Sequence, residues 1–240
     1  IRTGVTAMLC SPHFLLLNRE AEVDDFTLAS RLSYFLWSSM PDAELVELAA
    51  AGRLRDPQVR HAQVERLLKD RKSKRFIENF TGQWLNLRDI DFTTPDSKLY
   101  PEYDELLQYS MLRETRGFFR HLLDENLSVM NFVDSEFAVL NERIASHDGI
   151  SGVRGHETFR IVTLPERSIR GGVLTQASLL KVTANGTSTT PVVRGTWVLE
   201  NLLGQPSPPP PAGVPAIEPD IRGATTIRRQ LEKHRADVTC

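Results

Sequence analysis

Cysteine is almost missing from this chain: Cys10 and Cys240 are the only two in 240 residues, so a disulfide framework is excluded and one bridge is the maximum. Long apolar runs are missing as well. The nearest is Phe14 to Leu17, far below the roughly 18 to 20 residues that span a bilayer, which excludes a transmembrane segment. Charge of one sign is also lacking, since 29 Lys and Arg stand against 31 Asp and Glu for a formal net charge of −2. The basic footprint of a nucleic-acid binder is therefore absent, and no nucleic-acid partner is expected. No Walker loop and no Gly-x-Ser-x-Gly elbow occurs, while Gly149, Gly152 and Gly155 are spaced by threes, miss the dinucleotide fingerprint and read as turn glycines. What is present is an ordinary soluble composition, 40% hydrophobic and 25% charged, in a chain long enough to bury a core. Opening on Ile1 without a signal pattern and ending on Cys240, the sequence reads as a piece of a longer polypeptide.

Helical periodicity dominates the first half. Leu28, Leu32, Phe35 and Leu36 form one stripe, and Pro41 with Asp42 and Glu44 opens a second run through Leu45 and Leu48 that Gly52 ends. Asp56 before Pro57 is an N-cap and first-turn pair for a helix carrying Val59, Val64, Leu67 and Leu68. A further helix is predicted from Lys72 to about Leu87. The longest runs from Pro101 to about Asp124, with Leu106, Leu107, Met111, Leu112, Phe118, Phe119, Leu122 and Leu123 on one broad face, and should organise the core. After Asn126 the texture becomes irregular, Thr158 to Leu164 reads as a single short strand, and a domain boundary is expected between 126 and 168. Gly172 to Leu180 and Val192 to Leu203 read as two helices. Seven prolines between Gln205 and Pro219 predict a stiff polyproline strap, followed by a short polar helix from Thr225 to Arg235. The expected fold is mainly α: a helical bundle-like N-terminal domain over 23–150, then a smaller irregular α domain over 151–240 with a short strand and the strap. Trp84 and Trp197 lie within helical stripes and read as core aromatics.

Chemistry-bearing patterns are weak. The basic run Lys69, Arg71, Lys72, Lys74 and Arg75 is relieved by Asp70 and by the acidic stretch from Asp89 to Glu105, and reads as a solvated patch. Glu114, His121 and Glu125 share roughly one helical face, but Phe118 occupies the place a Glu-x-x-His metal motif needs, so they read as a surface pairing rather than a metal site. His147 and His156 flank the glycine-rich loop without ligand spacing, and no metal site is expected. Ser178-Leu179-Leu180-Lys181 satisfies Ser-x-x-Lys, in which a lysine activates a serine one turn away, without the companion motifs of acyl-transfer enzymes. It reads as an ordinary helix end.

Longer strings carry a resemblance. Ala29 to Leu45 (ASRLSYFLWSSMPDAEL), Asn79 to Arg88 (NFTGQWLNLR) and Arg170 to Pro211 (RGGVLTQASLLKVTANGTSTTP followed by VVRGTWVLENLLGQPSPPPP) resemble the large planctomycete cytochrome-c-associated proteins, built from serial domains of unknown function. The resemblance implies that residues 1–22 are the tail of a preceding domain. It also implies a periplasmic, cell-envelope or secreted protein whose partners are other domains of the same polypeptide and a redox partner. In relatives the helix matching Thr225 to Arg235 leads into Cys-x-x-Cys-His, whose thiols hold haem covalently and whose His ligates iron. Cys240 matches the first cysteine and the chain stops there, so the expectation is no cofactor in this fragment and haem c in the full-length protein.

The functional expectation is a noncatalytic or electron-transfer-supporting module. Two alternatives stand beside it: a module of an extracellular redox or polymer-degrading enzyme with a pocket between the two domains, and an interaction scaffold acting through the proline strap. The candidate ligand surface is the loop from Thr183 to Arg194. Thr183, Asn185, Thr187 and Thr190 offer small hydrogen-bonding groups, and Gly186 permits a left-handed backbone. Pro191 opens the next helix, Arg194 presents a forked donor to a carboxylate, a haem propionate or an acidic sugar, and Arg170 stands at the other end of the preceding helix. The plain alternative is that these residues only cap the helix and close the loop.

Overall fold

The computed structural model describes residues 1–15, 23–206, 208 and 228. The chain divides into two compact units, Ile1–Gln83 and Trp84–Cys240, so position 150 lies inside the second. In order, the helices of the first are α1 (Arg2–Leu9), α2 (Pro12–Leu15), α3 (Asp25–Trp37), α4 (Ala43–Ala50), α5 (Pro57–Lys69) and α6 (Lys74–Trp84). The second holds α7 (Glu105–Asp124), β1 (Phe137–Leu140), α8 (Glu142–Asp148), β2 (Arg160–Thr163), α9 (Ala177–Val182) and α10 (Pro191–Asn201). Helix predominates throughout and the sheet has two strands, so the protein is mainly α. Most of the proline strap, all but Arg228 of the Thr225 to Arg235 helix, and Cys240 lie outside the described residues.

In the first unit, aspartates start the helices. Asp24 accepts from the Thr27 amide at 2.7 Å, Asp42 from Leu45 at 3.1 Å and Asp56 from Gln58 at 2.8 Å, each pairing a donor that helix geometry leaves free. Trp37 is buried and its indole donates to the Leu67 carbonyl at 2.9 Å, tying α3 to α5. Arg66 bridges α5 to the start of α4 through Asp42 at 2.7 Å and Glu44 at 3.3 Å. Phe35, expected in the buried stripe of α3, is exposed and meets Phe76 edge-on at 5.1 Å between ring centroids. The segment expected as one helix from Lys72 to Leu87 is instead a 3-10 turn (Arg71–Ser73), then α6, then a second turn (Leu87–Asp89), because Asn86 adopts a left-handed backbone.

In the second unit, α7 is the organising helix. Asp104 caps it by accepting from Leu107 at 2.6 Å, so it starts at Glu105 rather than Pro101, and Leu106 turns outward. Leu107 and Met111 pack with Leu140, Ile144, Ala145 and Ala177, while Phe118 and Leu122 pack with Val139 further along. Leu85, Leu87, Val173, Leu179 and Trp197 make a separate cluster. Trp197 is buried as expected, while Trp84 is half-buried and donates its indole N–H to the Asn201 carbonyl at 2.7 Å. The single predicted strand has a partner. β2 pairs antiparallel with β1, Phe137 opposite Thr163 and Leu140 opposite Arg160, and α8 lies in the connection. Strand β1 approaches α7 at Gly117, where an added Cβ would fall 2.8 Å from Val139 Cγ1. The helix predicted over Gly172 to Leu180 is a 3-10 turn (Val173–Thr175) followed by α9, and α10 ends at Asn201, two residues before the predicted end.

Candidate functional site

The loop between α9 and α10 is held to the segment ahead of α7. Gly186, with φ +89°, lies so close that a Cβ there would sit 2.7 Å from the Thr94 carbonyl oxygen; its own carbonyl accepts from the Asp96 amide at 2.9 Å. Tyr100 donates its hydroxyl to the Thr187 carbonyl at 3.3 Å. This docking encloses an open cavity of about 310 Å³. Its apolar wall includes Tyr100, Tyr103, Leu107, Met111 and Leu180, and its polar groups include Thr93, Glu102, His147, Lys181, Thr189 and Arg194. Segment 93–147 supplies one side and segment 177–194 the other.

The sequence-predicted site residues are not gathered in one place. Arg194 lines this cavity, with Nε donating to Thr183 Oγ1 and Nη2 to Thr189 Oγ1, both at 3.2 Å. Thr183, Asn185 and Thr190 line a neighbouring cavity with Asp89, Phe92 and Val193. Their polar atoms are largely occupied. Thr183, itself buried, donates to the Leu179 carbonyl at 2.8 Å, Thr190 donates to the Thr183 carbonyl, and Asn185 Oδ1 accepts from the Thr187 and Ser188 amides at 3.1 and 2.8 Å. Thr187 lines neither cavity. Arg170 belongs elsewhere, paired with Asp148 at 2.7 Å and donating to the Thr175 carbonyl at the same distance.

Arg170 and Asp148 border a third, small cavity together with Glu114, Gln176, Gly171 and Gly172. Here the expected surface position of Glu114 is overturned: the residue is 2% exposed. Glu114 accepts from the Ala177 amide through one oxygen, while Oε2 and the Gln176 Oε1 atom have no hydrogen-bond partner. Burial first, and then the nearby Asp148 charge, push the Glu114 carboxyl well above the ordinary range; burial also raises Asp148 against the pull of Arg170.

Sequence reasoning passed over Tyr100 and Tyr103 and the place of Lys181 in the cavity lining. Lys181 is 8% exposed, and its ammonium donates to the Ile90 carbonyl at 2.8 Å and to the Thr93 carbonyl and hydroxyl. Burial lowers its proton affinity, opposed in part by Asp91. Ser178, the other half of the Ser-x-x-Lys pattern, is buried and shares a 2.6 Å hydrogen bond with Thr115. The hydroxyl and the amine are each committed to a different partner. Among the described residues no three His, Cys, Asp or Glu side chains are placed to hold a metal ion, and no helix is long and apolar enough to cross a membrane.

No curated protein and no solved structure matches the chain. Two family profiles do match. Residues 170–240 match PSCyt3, a protein of unknown function (DUF1588), and residues 23–150 match PSD4, a protein of unknown function (DUF1592). The 310 Å³ cavity is therefore built from both matched segments. Both are domains of unknown function of the planctomycete cytochrome-c-associated kind that the strings resemble, and with residues 23–150, more than half its length, in the PSD4 profile the chain belongs to the DUF1592 family.

Proposed function

We propose that this chain is a noncatalytic or electron-transfer-supporting module of a c-type cytochrome-like protein that is periplasmic, bound to the cell envelope or secreted, and that its 310 Å³ cavity holds a small ligand. The observation that carries the noncatalytic part is the commitment of Ser178 and Lys181. Ser178 bonds Thr115 and Lys181 bonds Ile90 and Thr93, so the nucleophile and base offered by the sequence serve the fold rather than a reaction. Haem enters through the family: Cys240 is the first cysteine of the attachment motif found in relatives, with the iron chemistry belonging to the longer polypeptide.

The test is an absorption spectrum of the full-length protein from a host that matures c-type cytochromes, beside that of the 240-residue chain. Haem bands in the first and a colourless second are expected. Full-length protein without haem refutes the electron-transfer part. Turnover of any substrate that is abolished by Ser178→Ala refutes the noncatalytic part. One observation favours a second reading, an extracellular redox or polymer-degrading enzyme: the cavity is drawn from both matched segments, the usual place for an active site in a two-part protein.

A further inference from the structure

We propose that the 310 Å³ cavity binds a small aryl carboxylate, one aromatic ring bearing one carboxylate, with the ring against the tyrosine and methionine wall and the charge at Arg194 and Lys181. The inference rests on reading this cavity as a ligand site and names the chemistry of its occupant. Size comes first. At the lower end of the roughly 300 to 1,000 Å³ typical of small-molecule pockets, the cavity suits a ligand of about one ring. Its wall then sets the body of that ligand. Tyr100, Tyr103 and Met111 bring two aromatic rings and a polarisable thioether to the lining, which favour a flat aromatic partner over a sugar acid whose hydroxyls each require a polar contact.

Charge sets the rest. Neither Lys181 nor Arg194 has a carboxylate within ion-pair distance among the described residues, although Lys181 is almost fully buried. Its three ammonium hydrogens go to neutral oxygens, so its hydrogen bonds are satisfied while its charge is offset only in part, by Asp91 beyond ion-pair distance. An anion in the cavity relieves that cost. Arg194 is prepared to meet it. Thr183 and Thr189 hold Nε and one hydrogen of Nη2, leaving Nη1 and the second Nη2 hydrogen as a fixed fork matching a carboxylate. Glu102, the carboxylate among the lining residues, is exposed, so its repulsion is screened by water.

Calorimetric titration of the 240-residue chain with cinnamate, cinnamyl alcohol and glucuronate tests this. Cinnamate should bind at least about tenfold more tightly than either other probe, in line with a charge-assisted hydrogen bond, and should weaken as salt is added. Arg194→Gln and Arg194→Lys should each lose about tenfold or more, because neither keeps the fork. Leu180→Trp, which fills the cavity and leaves the Arg194 contacts alone, should abolish binding with an unchanged circular dichroism spectrum. Alcohol binding as tightly as cinnamate overturns the anionic class and leaves the cavity a ligand site. Tighter glucuronate binding overturns the aryl body. A folded chain that binds none of the three refutes the ligand-site reading as well, and unaltered cinnamate binding by Leu180→Trp places the site elsewhere and overturns the inference.

Discussion

Replacing Glu114 with Gln should make the second unit more stable at pH above the value to which burial raises that carboxyl, although it alters a fully buried residue on the central helix. Around the small cavity beside α7, Glu114 Oε2 and Gln176 Oε1 are acceptors without a hydrogen bond, Asp148 Oδ1 has only its 2.7 Å ion pair with Arg170, and Arg170 Nε is a donor without an acceptor, while the other Glu114 oxygen is occupied by the Ala177 amide. Protonation of Glu114 turns one of these acceptors into a donor, in keeping with its raised carboxyl. A carboxyl raised in the folded state gives its full contribution below the ordinary value of about 4.3 and loses it as pH rises through the folded value. Asp148, raised for the same first reason, adds with the same sign. Gln keeps the oxygen that meets Ala177 and places a permanent N–H where Oε2 stood, so at pH above the raised folded value the variant should gain about 1–3 kcal/mol, the cost of an unsatisfied buried polar group. As pH falls below the raised folded value the parent's own proton does the same work and the difference should shrink towards zero. Thermal unfolding should show a rise of about 2–4 °C per kcal/mol for a chain of this size. Amide exchange along α7 isolates the effect from the first unit. A variant less stable by about 3 kcal/mol or more at every pH measured would refute the reasoning, because it would mean that an ionised Glu114 is a working partner of Arg170.

Gly186→Ala should destabilise the loop by about 1–3 kcal/mol, since it combines a positive φ with a 2.7 Å approach to the Thr94 carbonyl, and proteolysis of the loop should speed accordingly. Trp197→Ala should cost about 3–5 kcal/mol of stability. Trp197→Phe should cost much less than that, because the indole N–H of Trp197 has no partner to lose; denaturant titration distinguishes the two. In the first unit Asp42 carries the opposite pH sign to Glu114: its hydrogen bond with Arg66 depresses the carboxyl, so its stabilisation is present above the ordinary carboxyl value and lost as pH falls through the depressed one. Asp42→Asn, which keeps a capping oxygen for Leu45, should flatten that part of the acid-unfolding curve, while Asp42→Ala should lose about 0.5–2 kcal/mol more for the cap.

Helix starts were readable because their causes are local. Asp42 and Asp56 are followed within three residues by the amides they pair, and the Asp56–Pro57 step announces itself in the sequence. The β1 strand was not readable: FAVL has four residues without alternation, and it exists through pairing with β2 across α8 and through the gap that Gly117 leaves on α7. Glu114 falls between these cases. Leu107, Met111, Phe118 and Leu122 are buried on α7, and Glu114 stands three residues after Met111 and four before Phe118, on the buried side of the same face. Measuring its spacing against His121 and Glu125 alone gave a surface position; measuring it against the apolar positions gives burial.

The candidate site follows the same division. Asn185 and Thr187 were singled out for their hydrogen-bonding groups, yet a loop rich in such groups satisfies them internally before any ligand arrives, as the Asn185 turn does. Lys181 was readable as a residue but not as a binding group, because its partners Ile90 and Thr93 lie about 90 positions earlier and only the folded chain brings them together. Tyr100 and Tyr103 reach the loop across a comparable separation. The charge and the aromatic wall are thus products of one docking event, the closure of the α9–α10 loop onto residues 93–100. Any change that opens it, Gly186→Ala above all, should weaken ligand binding together with loop stability, whereas Arg194→Lys should weaken binding and leave the loop in place.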